Sequence, residues 1–388
     1  MDLRQRFGRP LRLAVIGGGP DAWIGRMHRS AAALDGWWQV CAGVLSSDAA
    51  RSREAGVRLG LPADRSYGTA AELFAAEAQR GDGCDAVAVM TPNDTHYALS
   101  AAALDAGFDV VCDKPVAATH AQALDLAARV RAGGRLLAIT HGYSAYPMTR
   151  HARELVRSGA IGVVRFVQVE YLQGGLSQRV EDGARTKRLD WVLDPARSGL
   201  ALVLGMIGCH AQHLACFVAG APVTRVMADA RSLVPGRAVI DHVSALLEFG
   251  HGARGTFTAT QAAAGMENDI RLRVVGDKGL VEWHHREPSY LRLALHGEPV
   301  RTIGRGDAGL SPDVIAAGRS PRGHPEGLLE AFANLYAELA QERIERALGL
   351  PVQARPYPRI DDGVHTMAFI EACLASHRSG TWADVTAA

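Results

Sequence analysis

The chain has 388 residues, of which 48% are hydrophobic and 21% are charged, so it is long enough for two globular domains and is not expected to be disordered. Its 42 Lys and Arg residues nearly balance its 41 Asp and Glu residues, and the net charge of +1 argues against nucleic acid or an anionic membrane as the partner, which leaves a small molecule. No apolar run of signal-peptide length follows the arginines at the start, so a cytoplasmic location is expected.

The first third of the chain alternates short apolar runs with alanine-rich stretches, the rhythm of βαβ units. Several runs are apolar throughout, as expected for strands buried on both faces of a parallel sheet. The predicted strands are 11–17, 39–45, 85–90, 109–112 and 136–140. The sequence therefore predicts an α/β fold with an N-terminal Rossmann domain, residues 1–140.

The first predicted strand runs into a glycine cluster. Gly17, Gly19 and Ala22 form a G-x-G-x-x-A pattern, and Trp23 and Ile24 open the following helix. Backbone amides in such a turn can approach a pyrophosphate, whose charge the helix N-terminus favours. A plain tight turn is the alternative, but the position after the first strand of a βαβ series favours a dinucleotide site that includes these five residues.

The second predicted strand ends in Ser46 and Ser47, where an NAD-specific site offers a carboxylate to the ribose. Arg51 follows one helical turn later and could pair with a 2′-phosphate. Asp48 is interpreted as the N-cap of the next helix. The cofactor is therefore expected to be NADP or NAD, with a slight preference for NADP.

Residues 141–388 show a different rhythm and are predicted to form a substrate-binding α/β domain. Closely spaced strands without intervening helices indicate an open, mainly antiparallel sheet. The predicted strands are 163–172, 223–233, 242–249, 253–260, 270–275, 280–284 and 290–295, and the predicted helices are 147–158, 207–219, 326–348 and 361–379.

The cysteines and histidines give no sign of a disulfide framework or a metal site. The six cysteines are scattered on apolar runs without a C-x-x-C pair and are interpreted as reduced core residues. His210 and His213 share a helical face, but no third ligand follows at a recognisable spacing. No metal is therefore predicted.

Four motifs in this order resemble the Gfo/Idh/MocA family, named after glucose-fructose oxidoreductase, inositol dehydrogenase and a rhizopine-catabolism protein. The similarity covers nearly the whole chain, including residues 323–327 and 330–336. The motifs are the glycine loop, Thr91-Pro92-Asn93-Asp94-Thr95-His96, Asp113-Lys114-Pro115, and the segment from Gly205 to His210.

The resemblance implies an NAD(P)-dependent oxidoreductase that acts on a secondary hydroxyl of a carbohydrate or cyclitol and forms a homodimer or homotetramer through the second domain's sheet. It assigns catalysis to Lys114 and His210, which without the family pattern would be a surface lysine and a helix histidine. Alcohol oxidation needs a proton acceptor and a cationic donor, which these two residues supply. The implied cofactor contacts are Thr91, Pro92, Asn93, His96, Asp113, Lys114 and Pro115.

The expected substrate contacts are Lys114, His141, Tyr143, Trp191, Met206, His210 and His324. His141 and Tyr143 could instead pack a hinge, and His324 could belong to a helix start. Met206 stands where the family has its catalytic aspartate, and a thioether cannot relay a proton. Three hypotheses remain open: an oxidoreductase that uses Lys114 and His210, a repurposed epimerase or glycoside-cleaving enzyme that uses nicotinamide transiently, and a non-catalytic binding protein.

Overall fold

The computed structural model describes residues 3–183, 186–199 and 201–386. The chain divides into two compact units. The first runs to Thr140 and includes Leu329–Gly363, and the second comprises His141–Leu328 and the part of the chain from Val364 onward.

The first unit is built on a parallel sheet of five strands in the order β2-β1-β3-β4-β5. All residues of β3 are buried, as expected for an apolar run covered on both faces. The predicted Rossmann architecture is confirmed. The strands are β1 (Leu11–Gly17), β2 (Trp38–Val44), β3 (Ala86–Met90), β4 (Asp109–Cys112) and β5 (Leu137–Ile139).

Six helices accompany this sheet before Thr140. The side chain of Asp48 accepts a hydrogen bond from the backbone N–H of Arg51 at 2.9 Å, which confirms Asp48 as the N-cap of α3. Thr69 and Thr119 cap α4 and α6 in the same way. The helices are α1 (Leu3–Phe7), α2 (Trp23–Leu34), α3 (Ala49–Arg58), α4 (Ala70–Gln79), α5 (His96–Asp105) and α6 (His120–Gly133).

The second unit contains a sheet of nine strands within the described residues, in the order β13-β12-β11-β10-β6-β9-β8-β7-β14. Its pairings are antiparallel except for the parallel pair β6 and β9, which confirms the predicted mainly antiparallel sheet. The strands are β6 (Val164–Leu172), β7 (Val223–Arg231), β8 (His242–Phe249), β9 (Arg254–Thr260), β10 (Asp269–Gly276), β11 (Gly279–His284), β12 (Tyr290–Leu295), β13 (Arg301–Gly304) and β14 (Ala383–Asp384).

The sequence missed the two edge strands β13 and β14, which are short and polar. The predicted helix 207–219 also begins differently, because a π-helical turn at Leu204–Gly208 precedes its α-helical part. The helices of this unit before residue 328 are α7 (Pro147–Arg157), α8 (Lys187–Val192), α9 (Pro195–Ser198), α10 (Cys209–Ala219) and α11 (Pro312–Ala316). Among the described residues, no helix combines the length and the hydrophobicity of a membrane-spanning segment.

Two long helices close the chain, α12 (Leu328–Ala347) and α13 (Ile360–Ser379). The sequence assigned all of 141–388 to one domain, whereas the structure groups Leu329–Gly363 with the first unit. Specific contacts explain the difference: Arg343 pairs with Asp109 at 3.0 Å, and the N–H of Ile139 donates to the carbonyl of Pro358 at 2.9 Å. Such long-range pairing leaves no local sequence signal.

Candidate active site

The glycine loop between β1 and α2 is so tight that side chains are excluded from it. Gly17 and Gly18 have φ values of +83° and +60°, which L-residues rarely adopt. A Cβ on Gly17 would lie 2.6 Å from the carbonyl oxygen of Met90. The loop therefore leaves its backbone accessible directly before the N-terminus of α2, as a pyrophosphate cradle requires.

Gly25, the third residue of α2, completes this loop and was missed as a site residue. A Cβ on Gly25 would lie 2.6 Å from Cα of Gly18, so helix and loop pack backbone against backbone. The signal available in the sequence was a glycine directly after Ile24, at the start of the predicted helix. Ala22 donates its N–H to the carbonyl of Gly19 at 2.9 Å, and the side chain of Trp23 is 57% exposed.

An open cleft of about 370 Å³ lies where β2 ends. Asp48 is engaged as the cap of α3, and the backbone N–H of Asp48 donates to Oγ of Ser46 at 3.1 Å. Ser47 is exposed and Arg51 lines the cleft. The lining residues are Gly19, Pro20, Asp21, Ala22, Leu45, Ser46, Arg51, Glu54, Ala55 and Arg58.

His96 joins the loops that follow β3 and β4. Its Nδ1 lies 2.7 Å from the carbonyl oxygen of Pro115 and its Nε2 lies 2.8 Å from that of Thr91. A neutral imidazole has one N–H, so only the imidazolium donates to both carbonyls. Burial opposes this charge, but the Cys112 sulfur, the Asp113 carboxylate and the Pro115 carbonyl outweigh burial and raise the pKa of His96 to about 9.

The loop after β3 also holds the other predicted cofactor contacts. The hydroxyl of Thr95 donates to the carbonyl of Pro92 at 2.7 Å, and its oxygen lies 2.7 Å from Oγ1 of Thr91, which fixes the turn. Asn93 is 8% exposed, and its Nδ2 has no hydrogen-bond partner among the described residues. A buried amide of this kind fits a site that is completed by a bound polar group.

Asp113 holds the backbone beside Lys114. Its Oδ1 accepts from the N–H of Lys114 at 3.2 Å and from the hydroxyl of Thr140 at 2.6 Å. Burial would raise the pKa of Asp113, but the nearby His28, Lys114 and His96, together with the Thr140 hydroxyl, lower it. The Asp113 carboxylate therefore balances the positive charge of this loop.

His28 lies behind this carboxylate and was also missed by sequence reasoning. Its Nε2 is 4.0 Å from Oδ2 of Asp113, and its Nδ1 is 2.7 Å from the hydroxyl oxygen of Tyr336. Burial lowers the pKa of His28, and the neighbouring Asp113 carboxylate opposes this shift. No spacing in the sequence links His28 to Tyr336, since the contact depends on the return of α12 to the first unit.

His210, which belongs to the second unit, sits among aromatic rings. Its ring lies edge-on to Tyr143 at 5.1 Å and to His141 at 5.5 Å. His141 in turn stacks on His213 at 4.5 Å with 9° between the planes. The structure thus brings together three predicted residues, His141, Tyr143 and His210.

A closed set of hydrogen bonds backs the Tyr143 ring. The hydroxyl oxygens of Tyr143 and Tyr171 are 2.6 Å apart, Tyr171 donates to Oδ1 of Asn268 at 2.6 Å, and Nδ2 of Asn268 donates to the Tyr143 hydroxyl at 3.0 Å. Burial raises the pKa of both tyrosines, so both stay neutral. Tyr171 belongs to β6 and Asn268 directly precedes β10, and neither was found from the sequence.

Met206 lies on the π-helical turn that precedes α10. It packs, together with Trp191, against a buried cluster formed by Val192, Leu202 and Val239. The two predicted residues Trp191 and Met206 are therefore brought together, in apolar surroundings. π-Helical turns are frequent at functional sites.

His324 belongs to a loop of the second unit that precedes α12. It is exposed on a loop and lines a cleft of about 300 Å³ with Arg286 and Tyr290. Arg305 fixes this loop, because it donates to the carbonyl of His324 at 2.6 Å and pairs with Glu326 at 3.1 Å. Among the described residues, the lining of this cleft includes none of the other predicted substrate contacts. Within the described ranges, no group of three or more His, Cys, Asp or Glu residues is placed to hold a metal ion.

Family models match both parts of the chain. Residues 11–141 match the oxidoreductase family with an NAD-binding Rossmann fold, and residues 149–282 match the GFO/IDH/MocA C-terminal domain.

Relatives extend the similarity over the full length. YfiI of Bacillus subtilis (strain 168), an uncharacterised oxidoreductase, is 33% identical over 97% of this chain and 98% of its own. The crystal structure of an inositol dehydrogenase homologue from Azotobacter vinelandii in complex with NAD⁺ has a TM-score of 0.92 and 35% identity, and covers 99% of this chain and 100% of that one. The same homologue with NADH and myo-inositol has a TM-score of 0.89 and 34% identity, with the same coverage.

Proposed function

Because this chain belongs to the GFO/IDH/MocA family of NAD-binding oxidoreductases, we propose that it transfers hydride between a nicotinamide dinucleotide and a secondary hydroxyl of a cyclitol or sugar, or the corresponding ketone. The observation that carries the proposal is the full-length similarity to a homologue whose structure contains NADH and myo-inositol. A cyclitol is therefore the first substrate class to test, and sugars are the second.

The first unit fits the dinucleotide. The glycine loop offers backbone N–H groups to a pyrophosphate, and Gly17, Gly18 and Gly25 leave no room for side chains there. The buried amide of Asn93 is available to a polar group of the ligand. The nicotinamide, when bound, accepts or returns the hydride.

Lys114 and His210 have separate tasks in this proposal. As the alcohol is oxidised, its hydroxyl proton must leave and negative charge develops on oxygen. The Lys114 ammonium donates a hydrogen bond to that oxygen and stabilises the charge, while His210 accepts the proton. The rings of Tyr143 and His141 hold the imidazole of His210 in one orientation.

His96 and Asp113 act through the backbone around Lys114. The imidazolium of His96 donates to one carbonyl in each of the loops that follow β3 and β4, and Asp113 accepts from the N–H of Lys114. These hydrogen bonds restrict the loop from which Lys114 extends. They are positioning contacts, because neither residue is required to touch the substrate.

The cleft beside β2 supports a preference for NADP over NAD. Asp48 caps a helix instead of facing a ribose, and Arg51 and Arg58 both line the cleft. Arginine pairs well with phosphate, so a 2′-phosphate would gain a partner there.

We further propose a homodimer or homotetramer formed through the sheet of the second unit, in the cytoplasm. Met227 and Leu246 are paired residues on β7 and β8, and they are 40% and 50% exposed. Exposed apolar side chains on one sheet face favour contact with another copy. Sedimentation of the purified protein and of a Leu246→Arg variant measures the state, and a monomeric wild-type protein would contradict this part.

The function is tested in two steps on the purified protein. Titration with NAD, NADH, NADP and NADPH, followed by calorimetry or nicotinamide fluorescence, identifies the cofactor. Turnover is then followed by nicotinamide absorbance with myo-inositol, other cyclitols and simple sugars. Net reduction of the cofactor by a polyol supports the proposal, whereas tight cofactor binding with no turnover on either substrate class would overturn it.

A further inference from the structure

Two cysteines of the first unit, Cys41 and Cys84, are in direct contact. Both are free thiols, and their sulfur atoms are 3.2 Å apart although 43 positions separate them in the chain. From the sequence alone, all six cysteines are interpreted as reduced core residues, with no pairing between them. This contact is independent of the proposed hydride transfer.

The contact is produced by an irregularity in the sheet. Leu13 of β1 pairs with Val40 of β2, but the next residue, Ala14, pairs with Ala42, so Cys41 is the extra residue of a β-bulge. Since β1 lies between β2 and β3, backbones of β2 and β3 are about 10 Å apart at ordinary strand spacing. Bulges redirect side chains, and here the bulged residue is the one whose sulfur meets Cys84, which lies just before β3.

Cys84 is held in place by a buried ion pair. Glu77 accepts a hydrogen bond from the N–H of Cys84 at 3.1 Å and also binds Arg65 and the hydroxyl of Tyr67. The guanidinium of Arg65 lies 3.6 Å from the sulfur of Cys84. Cys84 is thus fixed at its backbone and has a cation beside its thiol.

The surroundings also favour a thiolate within the pair. The hydrogen bond from Cys84 lowers the pKa of Cys41; burial opposes this shift and Arg65 adds to it. A thiolate next to a second sulfur is the reactive arrangement for disulfide formation. Cys84 is only half-buried, which gives a small oxidant access to the pair.

We propose that Cys41 and Cys84 are a redox site that forms a reversible intramolecular disulfide upon exposure to hydrogen peroxide. Peroxide takes two electrons from one sulfur, which becomes a sulfenic acid as one water is released. The second sulfur then attacks the first and displaces the hydroxyl, which leaves with a proton as a second water. Two thiols and one peroxide thereby give one disulfide and two waters, and a dithiol reductant reverses the change.

The test is peptide mapping of the full-length protein. The folded protein is treated with hydrogen peroxide, its remaining thiols are blocked with an alkylating agent, and it is digested without reduction. We expect a cross-linked peptide pair containing Cys41 and Cys84 that disappears after dithiothreitol. Oxidation of these sulfurs to sulfinic acid without a cross-link, or cross-links to other cysteines only, would overturn the proposal.

Variants and a melting curve provide a second measurement. Cys84→Ser should abolish the cross-link, whereas Cys216→Ala, at a cysteine that is also half-buried, should leave it unchanged. The oxidised wild-type protein should melt at a higher temperature than the reduced one, because a cross-link over 43 positions restricts the unfolded chain. A cross-link that persists in Cys84→Ser would contradict the assignment. So would a peroxide-treated wild-type protein that melts at the same temperature as peroxide-treated Cys84→Ser.

Discussion

Nδ1 of His28 and the hydroxyl oxygen of Tyr336 are 2.7 Å apart, although 308 positions separate the two residues in the chain. Tyr336 also accepts a hydrogen bond at its carbonyl from the indole N–H of Trp38, at 2.8 Å. The ring of Phe332, one turn earlier on α12, lies edge-on to His28 at 5.4 Å. One face of α12 therefore completes the packing of α2 and β2.

Tyr336→Phe should lower the free energy of unfolding by about 1–3 kcal/mol, because it leaves a nitrogen of a fully buried histidine without its partner. Denaturant unfolding measures the change. Tyr290→Phe is the matched control, since Tyr290 is 49% exposed and its substitution should hardly change the free energy of unfolding. Equal stability of both variants and the wild type would show that the contact between His28 and Tyr336 does not stabilise the fold.

Loss of the proton from His96 should make the fold less stable at alkaline pH. Its pKa is raised from the ordinary value of 6.5 to about 9, so the stabilisation is complete below pH 6.5 and is lost as the pH rises through 9. A shift of this size corresponds to about 3 kcal/mol. Unfolding curves at pH 6.5 and pH 9.5 should show this loss in the wild type and a smaller one in His96→Gln.

His251→Gln serves as the control for that comparison, because His251 is exposed. It should retain the pH dependence of the wild type. A His96→Gln variant with the same alkaline loss as the wild type would assign the effect to another group.

Under the proposed function, Lys114→Ala and His210→Ala should each reduce kcat by about 10²–10⁴-fold, because one removes the group proposed to stabilise charge at the reacting oxygen and the other the group proposed to accept its proton. Circular dichroism should show that both variants fold. Lys278→Ala and His251→Ala, both at exposed positions, are the controls. Near wild-type rates for both catalytic variants on a confirmed substrate would contradict the assignment.

Met206→Asp tests whether position 206 can serve as a proton relay. The side chain packs against Val192, Leu202 and Val239, so a carboxylate there loses apolar contact and should reduce stability by about 1–3 kcal/mol without raising kcat. Met206→Leu keeps the contact and should behave like the wild type. A clear rise in turnover with Met206→Asp would instead identify the position as a relay site that has lost its acid.

Arg51→Ala should weaken NADP binding by about tenfold and leave NAD binding nearly unchanged, since it removes a cation from the cleft beside β2. Calorimetric titration with both cofactors measures the ratio of the two dissociation constants. Arg53→Ala, on the same helix but outside the residues that line the cleft, is the control. An unchanged ratio would remove Arg51 from the cofactor assignment.

The parts of the fold that could be predicted are those encoded in short stretches of sequence. The all-apolar run of β3 and the cap at Asp48 needed no distant partner to be recognised. The bulge at Cys41 and the packing of Gly25 on Gly18 could not be predicted, because each depends on which backbone lies alongside.

The candidate site also contains residues that local motifs reveal and residues that only the folded chain brings together. The motifs selected Lys114 and His210 as candidates, and the rings of His141 and Tyr143 lie beside the ring of His210. The supporting contacts were not visible, since Tyr171 and Asn268 meet Tyr143 only after separate strands have paired. His324 was selected by motif alone, and the way in which Arg305 holds its loop could not be predicted, because that contact forms only in the folded chain.

The return of Leu329–Gly363 to the first unit sets an order of events during synthesis. When the ribosome has made the parallel sheet, Tyr336 and the carbonyl that receives the Trp38 indole do not yet exist. His28 and Trp38 of the nascent first unit therefore remain uncovered until nearly the whole protein has been synthesised. A fragment that ends at residue 140 would keep the glycine loop but lack this cover, and should be recovered from cells mainly as aggregate.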